Sequence, residues 1–408
     1  MHNRLRHRPS PEVSALFSAS RLSRRSLMRG GLTSGALLAA GSLLVGCGTK
    51  GTQQTAESCI SEDLSATEKK INFSNWPQFI DVDENDEAKR PTLEAFQAET
   101  GIEIVYTEDI NDNAEFFGKV QNQLGSCESI DRDTMVLSDW MAARMIRLGW
   151  VQKLDKSRMP NVEQNLLPSL RKRTYDPTGE YTVPWQSGFT GIAYNARVTG
   201  EIRTIDELLT RPDLKGKVTL LSEMQDTMAL MLAANGHDAE NFTEAQFDDA
   251  LEKLKRAVAS GQIRRFTGND YAPDLAKGDI AACFAWSGDV VQLGFEDDQI
   301  KFVIPESGAV LWADNMLVPN KATHKANAEQ LLNYYYDPAV AAELAAWVNY
   351  VCPVQGAQAE MEKIDPELAS NPLIFPTEEL QASSTDFMAL TDEQERSYQS
   401  KFQQVIGA

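Results

Sequence analysis

The chain is expected to fold as two α/β lobes, each a mostly parallel sheet flanked by helices, with a ligand cleft between them. Three observations carry that expectation. Short apolar runs alternate with segments of helical spacing along most of the chain, the pattern of parallel strands covered by helices. Once an export signal is set aside, 362 of the 408 residues remain, more than one simple core accommodates. No later stretch approaches 18 consecutive apolar residues, so the body is not expected to span a membrane.

The signal occupies residues 1–46. Ser23-Arg24-Arg25 opens an apolar, Gly/Ala-rich stretch from Ser26 to Gly46 that ends in small residues, the layout of a secretory signal. The paired arginines point to the pathway that exports folded proteins. Leu44-Val45-Gly46-Cys47 has the form of a bacterial lipobox, which makes Cys47 the acylated N-terminus of the mature chain. The protein is thus expected outside the cytoplasmic membrane, held to its outer face by lipid alone. Residues 47–70 read as a stalk, because Gly48 to Lys69 are rich in Ser, Thr, Gln and Glu and have little to bury.

The body begins at the strand Ile71-Asn72-Phe73. A helix follows with Pro91 in its first turn, Leu93 and Phe96 on one face, and its stop at Thr100-Gly101. Ile102 to Tyr106 is a second strand. Phe116, Phe117, Val120 and Leu124 mark a helix face, and Thr134 to Leu137 a third strand. Thr204-Ile205-Asp206-Glu207 and Thr243-Glu244-Ala245-Gln246 fit capping boxes. Phe247, Ala250, Leu251, Leu254, Ala257 and Val258 then form one apolar helical face that stops at Ser260-Gly261. Val218 to Leu221 and Ile280 to Ala285 read as buried strands, and Asp337-Pro338 opens a helix to about Trp347.

Without the seven Arg and one Glu of the signal, 32 basic residues face 58 acidic ones, a net charge of −26. Such acidity argues against nucleic acid and suits a cationic ligand or simple solubility. Cys59, Cys127, Cys283 and Cys352 remain beside Cys47. An even number in an oxidising compartment suggests two disulfides, although four cysteines allow three pairings. Cys59–Cys127 would tie the start of the body to a helix end, and Cys283–Cys352 would join two segments at the cleft floor.

Enzyme and cofactor motifs are lacking: no Gly-x-Ser-x-Gly, Gly-x-x-x-x-Gly-Lys, Gly-x-Gly-x-x-Gly or His-Glu-x-x-His occurs. No cofactor or metal is expected. The acidic run Asp81 to Glu87 begins like a calcium loop but has Asp86 where Gly is needed and Thr92 where the bidentate Glu belongs. Tyr334-Tyr335-Tyr336 lies in a helical stretch and is expected to serve packing. A recurrent pattern stands out instead: tryptophans beside polar turns where strands leave the sheet, at Asn75-Trp76-Pro77, Ser138-Asp139-Trp140, Ala285-Trp286-Ser287-Gly288 and Leu311-Trp312-Ala313-Asp314. Ligands of open α/β sheets bind at those strand ends.

These residues resemble the spermidine/putrescine-binding receptors of bacterial ABC importers, from Ile71 to about Cys352. The specific segments include Asn75-Trp76, Leu137-Ser138-Asp139-Trp140, Tyr181 to Trp185 with Gly188, Cys283 to Gly288, Trp312-Ala313-Asp314 with Pro319, and Asn349-Tyr350. The lipoprotein signal and the loop from Asp81 to Pro91 are more similar to the actinobacterial branch. The resemblance implies a two-lobed periplasmic-binding-protein-like fold of type II and a cleft lined by Trp76, Trp140, Trp286, Trp312 and Tyr350. Ser138 falls at the rim, Glu223 and Asp226 on two carboxylate positions, and Asp314 on the carboxylate that holds an amine from the side. Gln78 departs from an acidic residue and Phe79 from a tyrosine, which leaves the exact polyamine open.

The chemistry of a polyamine fits these residue types. Buried ammonium groups need carboxylates, and methylenes need flat apolar walls whose faces also attract cations. Lobe I is expected over 71–186 plus 313–352 and lobe II over 187–312 plus 353–408. The expected protein is a monomeric, non-enzymatic receptor that hands a polyamine to ABC permease subunits. The alternatives are a receptor of the same fold for another organic cation, an amino acid or ferric ion, a secreted hydrolase using Glu223 and Asp314, or an adhesive role.

Overall fold

The computed structural model describes residues 59–407, apart from 84, 111, 172 and 389. The signal, Cys47 and the lower part of the expected stalk lie outside the described residues.

Nine strands form one sheet: β1 Lys70–Asn75, β2 Glu103–Glu108, β3 Thr134–Ser138, β4 Val183–Asn195, β5 Val218–Leu221, β6 Ile263–Thr267, β7 Ala282–Trp286, β8 Ile300–Val303 and β9 Val310–Leu317. Their order is β2-β1-β3-β9-β4-β7-β5-β6, with β8 paired to β4. Two parallel sets result. In one, β1 lies between β2 and β3, and in the other β5 lies between β6 and β7. The antiparallel pair β4 and β9 joins them. β4 makes that junction because it is long: Val183 to Thr190 pair with β9, and Thr190 to Tyr194 pair with β7. Residues Val183 to Ala193 are all buried, the polar Gln186, Ser187 and Thr190 included, because β4 lies inside the sheet between β9 and β7.

Local signals act where the sequence puts them. Pro91 opens the helix Pro91–Thr100, and Gly101 closes it in the left-handed region at φ 68°. Thr204 and Thr243 each complete a reciprocal capping box. The helix Glu244–Ala259 buries Phe247, Ala250, Leu251, Leu254 and Ala257. Against it lies the C-terminal helix Asp392–Ile406, with the Tyr398 ring stacked 4.0 Å from Phe247.

Residues 59–69 differ from a loose stalk. Leu64 donates its N–H to Thr323 O at 2.7 Å, Ser65 is buried, and Asn327 bonds back to Ser65 and Glu68. Cys59 is joined to Cys127 by a disulfide with Cα atoms 5.5 Å apart. The second expected disulfide is not formed: Cys283 and Cys352 are free, buried thiols. Their surroundings explain it. Cys283 sits in β7 between Ala193 of β4 and Thr219 of β5. Cys352 instead turns its Sγ to Ala341 O of the helix Pro338–Val348. Burial pushes both thiols up, Cys352 to about 12, so they behave as small apolar groups.

The tyrosine triplet packs. Tyr335 shares a hydrogen bond with Thr92 and sets its ring 4.6 Å from Trp185, while the Tyr336 hydroxyl donates to Pro184 O.

Candidate functional site

The carboxyl ends of β1, β3, β5 and β7 deliver Trp76, Ser138, Glu223 and Trp286. Trp76 follows β1 and donates its Nε1 to Val136 O at 3.1 Å. Ser138 closes β3 and precedes the helix Asp139–Arg147, which carries Trp140. Glu223 is the residue before the helix Met224–Ala234, whose first turn holds Asp226. Trp286 is the last residue of β7. Trp312 and Asp314 depart from the strand-end expectation: both lie inside β9. β9 runs antiparallel to both its neighbours, and its Asp314 lies opposite Ser138, the last residue of β3, so its middle reaches the site.

Cross-strand register assembles the floor, since directly opposed residues share a face of the sheet. Ser138 lies opposite Asp314, Asp314 opposite Gln186, Trp312 opposite Gly188, and Thr190 opposite Trp286. Gly188 has a specific reason: a Cβ there would come within 2.6 Å of the Trp312 ring and 3.0 Å of Tyr350. Gly288 is still tighter: a Cβ there would sit 2.4 Å from the Tyr350 ring. The Tyr350 ring in turn meets Trp312 at 5.7 Å and the edge of Phe79 at 5.3 Å.

A polar web fixes the acids. Thr190 and Trp286 Nε1 both donate to Asp226 Oδ1, the latter at 3.0 Å, and Trp312 Nε1 donates to Thr190 at 3.0 Å. Ser138 Oγ donates to Asp314 Oδ1 at 2.5 Å and is itself held by Asn113 at 3.0 Å. Asp289, in the first turn of the helix Ser287–Glu296, accepts from Tyr350 at 2.7 Å, Tyr271 at 2.8 Å and Asn269 at 3.1 Å.

Desolvation dominates the electrostatics. Burial pushes Asp314 up to about 7 against the pull of the Ser138 hydroxyl. Asp226 is pushed up to about 6 by the same cause, and Asp289 is also raised. Glu223 rises well above the carboxylate range through burial, then through the charges of Asp226, Asp112 and Asp314. Among the described residues no lysine or arginine answers these four acids. The neighbouring Asp139 contrasts with them: it is paired with Arg173 at 2.6 Å and bonded by Asn315 and Ala313. A group of acids, Asp226 and Asp314 buried and Glu223 and Asp289 half-buried, with no internal cation among the described residues favours a cationic occupant.

Not every expected residue joins this cluster. Gln78 is exposed, in a turn with φ 57°. Phe79 is buried and serves as a wall for Tyr350. Trp140 and Gln225 line a neighbouring cavity of about 610 Å3, bounded by Arg173 and Tyr175, by Asp386 to Met388 and by Leu390 to Asp392. Sequence reasoning missed Asp289, Thr190, Tyr271, Asn113 and Gln186. Asp289 carried a usable signal, an acid three residues after a strand-end Trp in the first turn of a helix.

Its relatives place the chain among solute-binding proteins rather than enzymes. The chain belongs to the family of bacterial extracellular solute-binding proteins, whose profile matches residues 92–377. It is 30% identical over 345 residues to the putrescine-binding periplasmic protein PotF of Escherichia coli, covering 78% of this chain and 86% of that protein. It is 25% identical over 342 residues to the spermidine/putrescine-binding periplasmic protein of Salmonella typhimurium, covering 83% and 89%. A putative spermidine/putrescine ABC transporter structure from Listeria monocytogenes superposes with a TM-score of 0.71 at 24% identity, covering 83% of this chain and 98% of that one.

Proposed function

We propose that this protein is an extracytoplasmic receptor that captures a polyamine, putrescine or spermidine, and delivers it to the permease of an ABC importer. The observation that carries the reading is the set Glu223, Asp226, Asp289 and Asp314, unanswered by any described lysine or arginine and walled by Trp286, Trp312 and Tyr350. Each ammonium of a polyamine would replace the protons that burial now favours on these acids. Its methylenes would lie along the rings, and cation–π attraction adds about 0.5 to 2 kcal/mol per contact. The names of the relatives agree with this chemistry.

Binding would be completed by closure of two lobes, 71–186 plus 313–352 against 187–312 plus 353–408, about β4 and β9. These strands suit a hinge because both parallel sets share them. Arg144, Arg147 and Arg173 pair with Glu395, Asp392 and Asp386, and so would bridge the two lobes in the closed form. The twin-arginine signal and acylated Cys47 would tether a monomeric receptor outside the membrane; no described helix is long and apolar enough to cross it. Calorimetric titration of the purified protein with putrescine, spermidine and spermine tests the function, with an amino acid and Fe(III) as controls. Saturable heat with a polyamine supports the reading; heat from the controls alone overturns it.

A further inference from the structure

Gln186 stands beside Asp314 without an assigned task. It follows a break in register: Pro184 lies opposite Asn315 and Gln186 opposite Asp314, so Trp185 is the extra residue of a β-bulge. The bulge has a consequence for both side chains. With uninterrupted pairing Trp185 would oppose Asp314, and Gln186 would oppose Ala313 on the other face. Instead Trp185 enters the core, its Nε1 donating to Phe79 O, and Gln186 shares a face with Asp314. Gln186 is only 1% exposed, yet its carbonyl Oε1 has no hydrogen-bond partner among the described residues. A buried acceptor left unmade costs free energy, and one next to a binding carboxylate is satisfied when a donor arrives.

On the polyamine reading above, we propose that Gln186 is a specificity-determining residue that reads the ligand's terminus as a primary ammonium. Ser138 already occupies Asp314 Oδ1. A primary ammonium brings three N–H donors, enough to serve Asp314 Oδ2 and Gln186 Oε1 together. A tertiary ammonium brings one, which Asp314 takes, leaving the Gln186 carbonyl buried and unpaired. Discrimination between amines then comes from a polar group that only the right ligand satisfies.

The test compares wild type, Q186M and Q186E by calorimetry with putrescine and with N,N,N′,N′-tetramethylputrescine. Methionine keeps the volume and lacks the carbonyl; glutamate keeps an acceptor. Q186M is expected to weaken putrescine binding ~10- to 100-fold and to change tetramethylputrescine binding less than about threefold, while Q186E retains putrescine. The assignment is overturned if Q186M binds putrescine within about threefold of wild type, if it loses both amines by the same factor, or if Q186E loses putrescine as Q186M does. Wild-type protein that binds no polyamine overturns the polyamine reading itself, whereas wild-type binding that Q186M leaves intact overturns only the role of Gln186.

Discussion

Ser138 and Asp314 face each other across β3 and β9, and the serine hydroxyl donates to Asp314 Oδ1 at 2.5 Å. That bond orients the carboxylate but does not neutralise it, since burial still pushes Asp314 up to about 7. The site is therefore built in advance for a positive charge, with one carboxylate oxygen anchored to the protein.

Asp314→Ala should weaken polyamine binding ~30-fold to several thousandfold, because removing one partner of a buried charge pair costs about 2 to 5 kcal/mol. Trp140→Ala should cost less, since Trp140 lines the adjacent cavity and its Nε1 has no partner among the described residues. Titration calorimetry decides the order. Asp314→Ala binding as tightly as wild type would remove the acid from the site.

Affinity should depend on pH. Asp226 and Asp314 sit at about 6 and about 7, above their ordinary value of 3.8. Between about pH 4 and 7 these two groups thus bind more protons in the unliganded folded protein than in the unfolded chain. Their contribution to stability falls as pH rises through that window and levels off above it. A cationic ligand prefers the ionised acids, so its affinity should rise over the same range with release of protons. Calorimetry near pH 6 in buffers of different ionisation enthalpy would detect that release; a buffer-independent enthalpy counts against it.

Gly288→Ala should displace the Tyr350 ring, which lies 2.4 Å from the new Cβ. Overpacking of this kind typically costs about 1 to 3 kcal/mol. The thermal midpoint and polyamine affinity should fall together, because Tyr350 also holds Asp289. Unchanged affinity would mean that the ring does not wall the ligand.

Among the four cysteines after Cys47, unfolding without reductant should expose two thiols, Cys283 and Cys352, with Cys59–Cys127 staying linked. Replacing Cys59 and Cys127 together by alanine should cost roughly 2 to 5 kcal/mol, since the bond spans 68 residues. Thiol titration and chemical denaturation provide the two readouts.

Arg173→Met should be the most damaging of the arginine changes. It leaves Asp139 buried without its cation, a loss of about 3 to 5 kcal/mol for such pairs. Arg147→Ala, at an exposed pair with Asp392 and Glu395, should scarcely alter stability and should weaken binding modestly if closure uses it. Equal effects from both would contradict the difference in burial.

Much of the architecture was legible because its causes are local. A proline at a helix start, a threonine with an acid or amide three residues on, and apolar residues at helical spacing act within a few residues of themselves. They located the helices Pro91–Thr100, Ile205–Thr210 and Glu244–Ala259, and short apolar runs located the strands that end in Ser138 and Trp286. The aromatic and acidic residue types of the site were legible too, because a cation with methylenes requires both.

What only the tertiary structure decided is which of those residues meet. Cys352 was expected to reach Cys283, but the chain after Tyr350 turns its thiol to Ala341 instead. Gln78, one residue from the buried Phe79, faces water because its backbone enters the left-handed region. Gln186 has ordinary sequence surroundings and gains meaning only across a bulged register, from Asp314, and the local signal of Asp289 does not reveal its partner Tyr350, 61 residues away. Sequence spacing sets which face of an element a side chain takes. Strand register, bulges and the desolvation they impose depend on contacts between distant segments, and those settle where the charge lies and what it can hold.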